Sequence, residues 1–225
     1  MTPEAGTFEA FYYGFVQHPV LLWLAAALGL AALLARRDLA PSLRRYGLAL
    51  SVLAALDAWL TTSPVPGLGA LPEPMAGAVP LFFVLAGDLR YLLLPFVATR
   101  AGALAPNAGG VARAIALTLV VPVFAQATTS QLDATPRTLF LIYELSFLAL
   151  AGSVGIWRRS VRESRWLRGI TSFVMLYYGL WALADIAILT GADAGYALRV
   201  VPNLLYYGGF VAALAWLAPS TREVR

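Results

Sequence analysis

The 225-residue chain has no cysteine, no lysine, one histidine and only 12% charged residues. Each shortage removes a class of chemistry. Without cysteine there is no disulfide, thiol nucleophile or thiolate metal site. All 16 basic residues are arginine, so a retinal or pyridoxal Schiff base has no amine on which to form. With His18 as the lone histidine, a bis-histidine haem or a histidine-rich zinc centre cannot be built within one chain. No cofactor and no metal are therefore expected.

What the chain does have is apolar surface. Hydrophobic residues make up 60% of it and the mean hydropathy is +0.74, whereas a soluble domain carries about 25% charged residues. The fold class expected is an all-α integral membrane protein. Seven apolar runs approach the roughly 20 residues that cross a bilayer: 19–35, 46–62, 78–99, 113–131, 137–157, 167–190 and 196–217. The implied organisation is an N-terminal aromatic segment at 1–18, a seven-helix bundle at 19–217 and a short tail at 218–225. Phe8, Phe11, Tyr12, Tyr13 and Phe15 suggest that the first segment lies at the membrane interface. No basic residue precedes the first run and no small-residue cleavage site follows it, so a removable signal peptide is not expected.

Arginine placement sets an expected orientation. Thirteen of the sixteen arginines fall in the first, third and fifth connections or at the C-terminus, against Arg137 and Arg199 on the other side and Arg90 within a span. By the positive-inside rule the N-terminus is external and the C-terminus cytoplasmic. The Pro-rich external connection at 62–74 carries only Glu73. The pI near 9.6 reflects this topology signal, so no nucleic-acid partner is expected. The expected setting is a bacterial cytoplasmic (inner) membrane, with the lipid bilayer, a small polar solute or cation, and a second copy of the chain as candidate partners.

Some spacings recur. Spans one and five open at Pro19 and Pro136 and run into Arg36-Arg37 and Arg158-Arg159; spans two and six carry Asp57 before Thr61 and Asp185 before Thr190. Spans three and seven hold Pro80 with Gly87 and Pro202 with Gly209. The pattern suggests three spans, a connector and three more in parallel. This resembles the architecture of the SWEET and PQ-loop transporters, although the Pro-Gln dipeptide is absent and no functional residue is carried over.

The chemistry lies in ionisable residues inside apolar runs, each costing at least about 2.5 to 3.5 kcal/mol to insert. Within VLAGDLRYLLLP, Asp88 and Arg90 sit near mid-span. Two residues apart on a helix they point about 200° away from each other, so each needs a partner on another helix. Tyr91 shares the Asp88 face. Asp57, Glu144, Asp185 and Asn203 lie roughly 8 to 10 Å below the external end, with Gln126 nearby. Tyr178, Trp181 and Asp185 share one face of span six by their three- and four-residue spacing. Four carboxylates and one nearby arginine predict an acidic cavity open to the outside. Tyr177, Trp166 and Trp157 are expected as interface anchors, and His18 stands at the outer mouth.

Three functions fit this pattern. The first is a small-solute or cation/proton-coupled transporter, with Asp57, Asp88, Arg90, Tyr91, Glu144, Tyr178, Trp181, Asp185 and Asn203 forming the site. The second is an intramembrane enzyme in which paired aspartates activate water for lipid or peptide hydrolysis; the Gly-x-Gly-Asp signature is incomplete because residue 85 is Leu. The third is a seven-helix sensor or receptor-like subunit without retinal.

Overall fold

A computed structural model of the chain describes residues 6–62, 73–132 and 135–221. Most of the connection at 62–74, expected to be external, and the last four residues lie outside this set. The described residues are helical, with one isolated bridge between Ala98 and Leu104. The helices are α1 (Thr7–Phe11), α2 (Pro19–Ala35), α3 (Pro41–Thr62), α4 (Glu73–Val97), α5 (Ala108–Thr129), α6 (Pro136–Trp157), α7 (Arg159–Glu163), α8 (Arg165–Leu189) and α9 (Ala194–Leu217). Local signals set their starts. His18, Asn107 and Thr135 each accept a backbone N–H one turn in, and Pro19 and Pro136 occupy first-turn positions where no donor is lost.

Five helices are long and apolar enough to cross a membrane: Ala78–Val97 and helices α5, α6, α8 and α9. The segment Thr7–Val16 and α2 meet at 62° and together make a sixth if they form one span. The difference from the seven expected runs has a physical basis. Helix α2 has 17 residues, about 25 Å at 1.5 Å each, short of a hydrocarbon core about 30 Å thick. Helix α3 is long enough at 22 residues, but it includes Arg44 and Arg45 in its first turns and Asp57 further on.

The bundle closes around α8 and α9. Buried Leu167, Ile170, Val174, Phe210 and Leu214 lie in one core with Leu92, Leu94, Phe147 and Leu33. Helices α2 and α9 touch backbone to backbone. A Cβ on Gly29 would lie 2.4 Å from the Gly208 carbonyl oxygen, and one on Gly208 would lie 2.0 Å from that of Ala25. Gly208 belongs to a π turn, Leu205–Gly209, that widens α9 at this crossing. Small residues allow such close approach where no water drives helices together.

Arginines tie one end of the bundle. Arg36 donates to the carbonyls of Ala215 at 2.6 Å and Ala218 at 3.2 Å while pairing with Asp38 at 2.8 Å. Arg158 and Ser160 donate to the Pro95 carbonyl at 3.2 and 2.7 Å, and Arg100 and Arg159 both pair with Glu163. The bonds to Ala215, Ala218 and Pro95 satisfy carbonyls at helix ends. Tyr177 and Trp166 depart from expectation: they are 0% and 4% exposed and belong to the core, whereas Trp157 is 77% exposed.

Candidate functional site

At the end opposite the arginine cluster, the first halves of α4, α6 and α9 and the second halves of α5 and α8 splay around a cavity of about 720 Å³. Its ionisable lining residues are Asp57, Glu144, Arg137 and Arg199, and its rings include Phe140, Tyr178, Trp181 and Tyr206. The N-terminal segment reaches it as well. Tyr12, Tyr13 and Gln17 form part of the wall, so a segment expected at the membrane surface contributes to the interior.

Tyr12 is 2% exposed. Its hydroxyl accepts from Asn203 Nδ2 at 2.9 Å and from Gln17 Nε2 at 3.1 Å, while Asn203 Oδ1 accepts from Trp181 Nε1 at 3.0 Å. The segment is held at its start too: Asp193 accepts the Phe8 and Glu9 N–H groups at 2.8 and 3.0 Å, and Tyr196 donates to Glu9 at 2.8 Å. His18 stands at the bend as the N-cap of α2, accepting from Val20 N–H at 3.3 Å.

The expected acids do gather at this end, and two arginines join them. Arg137 and Arg199, expected in external connections, fold inward. Asp185 is 0% exposed; its Oδ1 accepts from Arg199 and stands 3.3 Å from Arg137 Nη1. Arg199 Nη2 also lies 3.8 Å from Glu144 Oε1, and Arg137 Nη2 donates to Tyr13 at 2.9 Å. The sequence signal was present: Arg137 precedes Glu144 by two helical turns and Arg199 precedes Asn203 by one, which puts each on the face of a buried polar residue. Proximity to a helix end made both look like loop residues.

Asp88, 1% exposed, lies behind the cavity wall and accepts hydrogen bonds from the hydroxyls of Tyr143 and Tyr178. Arg90 points elsewhere, as the helical geometry required. Its guanidinium stacks 3.9 Å from the Tyr206 ring centroid and 4.5 Å from that of Phe210, and its Nε and Nη2 have no hydrogen-bond partner among the described residues. The Arg90 backbone carbonyl accepts from Tyr46 at 2.5 Å. A planar cation between two rings recovers by cation–π attraction part of what burial costs it. Tyr206 in turn packs over Gly87, where a Cβ would overlap its hydroxyl.

Of the nine expected site residues, Asp57, Glu144, Tyr178, Trp181 and Asn203 line the cavity. Asp88 and Asp185 stand one side chain behind it, on its tyrosines and arginines. Arg90 touches it through Tyr206. Tyr91 is not part of it: its hydroxyl bonds Thr171 Oγ1 at 3.2 Å inside the helical core. Among the described residues no cluster of histidine, cysteine or carboxylate side chains has the grouping to hold a metal.

Comparison of the chain with protein-family models, curated proteins and solved structures gives no match.

Proposed function

We propose that this chain is a multi-pass membrane protein that takes a small polar solute into the chamber from the external side and passes it across the bilayer. In this reading α2 and α3 also cross, giving seven spans with the N-terminus outside and α1 at the external mouth. One observation carries it: a space of about 720 Å³ inside an apolar bundle whose wall mixes carboxylates, guanidiniums, amides and aromatic rings. Ligand pockets have this size and this sparse polar decoration. Intramembrane ionisable groups that meet at such a space belong to solute pathways more often than to lipid-facing scaffolding.

The paired-aspartate hydrolase fits this geometry less well. Two catalytic aspartates must face one another across a water, and here Asp88 is bonded to two phenols while Asp185 is bonded to two guanidiniums. Solute passage uses the same groups as a lining, without requiring them to meet.

The test is flux. Purified protein in liposomes is assayed for uptake of pooled small polar solutes, beside Val84→Trp, which places an indole in the chamber that Val84 lines. Uptake of at least one pool that Val84→Trp removes supports the reading. Equal leakage from liposomes with and without protein for every pool overturns it.

A further inference from the structure

We infer that the chamber binds a solute through a protonated primary amine, with Glu144 as its counter-ion and the rings beside it holding an apolar or aromatic body. The inference rests on the chamber reading and goes further by naming the chemical class it accepts.

Charge balance is the first ground. The carboxyl groups at this end of the bundle, Glu9, Asp57, Asp88, Glu144, Asp185 and Asp193, outnumber its guanidinium groups, Arg90, Arg137 and Arg199. Charge buried in a low-dielectric bundle requires a partner, and an excess of acids is answered by a positive charge.

Satisfaction of the individual acids is the second. Asp88 holds two phenol hydroxyls and Asp185 two guanidiniums. Glu144 has only a loose pairing, 3.8 Å to an arginine that already serves Asp185, and its Oε2 has no hydrogen-bond partner among the described residues. Glu144 is 5% exposed and also lines the chamber, so its unmet demand can be answered by what enters. An unsatisfied carboxylate in such a place calls for an N–H donor that carries charge.

The wall is the third ground. Trp181 lies 5.5 Å from Tyr178 and 5.4 Å from Tyr206 by ring centroid. Aromatic rings favour a cation over an anion or a neutral polar group. They also cover the apolar remainder of an arylalkylamine.

The test uses three probes of one shape: phenethylamine, its neutral counterpart phenethyl alcohol, and the carboxylate hydrocinnamate. Binding to the full chain in detergent is followed by calorimetry and by tryptophan fluorescence. Phenethylamine is expected to bind at least about tenfold more tightly than the other two, since a charge-assisted hydrogen bond plus a cation–π contact exceeds that factor. Glu144→Gln should erase the preference for the amine over the alcohol, a neutral amide being unable to discriminate by charge.

Equal or tighter binding of the alcohol or the acid, or an unchanged amine preference in Glu144→Gln, overturns the inference. The wild-type comparison of the three probes decides it even where the variant does not fold. If the alcohol or acid binds and Val84→Trp blocks it, the chamber stands and the ammonium assignment alone falls. Absence of binding by all three also removes the ammonium assignment, and flux then decides the chamber separately.

Discussion

Asp88 shows at the scale of one residue how a charge is kept inside an apolar bundle. Its two hydrogen bonds come from α6 and α8, through Tyr143 and Tyr178, so one carboxylate joins three helices. A hydrogen bond to a charged group contributes about 1.5 to 3 kcal/mol. Tyr143→Phe and Tyr178→Phe should each lower stability by an amount in that range, read as a fall in melting temperature in detergent. The double variant should lose more than the sum, because the last donor leaves a buried carboxylate unmet. Strict additivity, or a change in either single variant too small to measure, would show that Asp88 is satisfied in another way. Asp88 was legible in the sequence because an acid within an apolar run demands a partner. Which partners it has was not: Tyr91, three residues on, is the near candidate on the same helix, yet it bonds Thr171 instead.

Two elements decide whether the chamber has its present form. Helix α9 is brought onto α2 by Gly29 and Gly208, and added bulk there must push the helices apart. Gly208→Ala is expected to cost roughly 1 to 3 kcal/mol, the usual penalty for overpacking. Gly179→Ala is its control. A Cβ at Gly179 meets nothing within 4 Å, so this helix-interior change should stabilise by about 0.5 to 1 kcal/mol. Paired melting curves that fail to move in opposite directions would refute this account of the crossing. The second element is the N-terminal segment, bent at His18 and Pro19 and fastened by Asp193. Asp193→Ala removes acceptors from the Phe8 and Glu9 N–H groups, and faster hydrogen exchange at those two amides, with the α8 core unchanged, is the expected outcome. The bend itself was not legible, since an aromatic cluster ahead of an apolar run reads as an interface anchor whether it lies flat or folds inward.

For the whole molecule, the two ends differ in charge and in work. The arginine-rich end ties carbonyls. There Asp38 is held well below the ordinary carboxylate range, first by its hydrogen bond from Arg36 and then by one from Ser220. A depressed acid stabilises the fold at pH values above its unfolded value near 3.9, and that contribution fades as the pH falls toward its lower folded value. Amide exchange at Thr221, whose N–H donates to the Asp38 carbonyl at 2.8 Å, should therefore hold steady from neutrality to about pH 5 and accelerate, relative to its intrinsic rate, below about pH 4. Asp38→Asn should show no such step; a step that persists in that variant would sink the proposed latch. The absence of cysteine makes the topology testable with single substitutions. In intact cells Thr190→Cys should react with an impermeant maleimide while Pro106→Cys reacts only after lysis, and the reverse pattern would invert the proposed orientation.

Composition alone settled that the chain is helical and rich in membrane-crossing stretches, because apolar run length and scarcity of charge are local properties of the string. The polar groups that matter were also visible as interruptions in those runs: Asp57, Asp88, Glu144, Asp185 and Asn203. Pairing was settled only by tertiary structure. Arg137 and Arg199 turn inward to Asp185 and Glu144, Tyr12 folds back to Asn203, and Arg90 lies on two rings rather than on Asp88, since each of these depends on which helices pack together. A long side chain near a helix end can reach water or reach inward by rotating a few bonds, and the acid waiting on a neighbouring helix decides which.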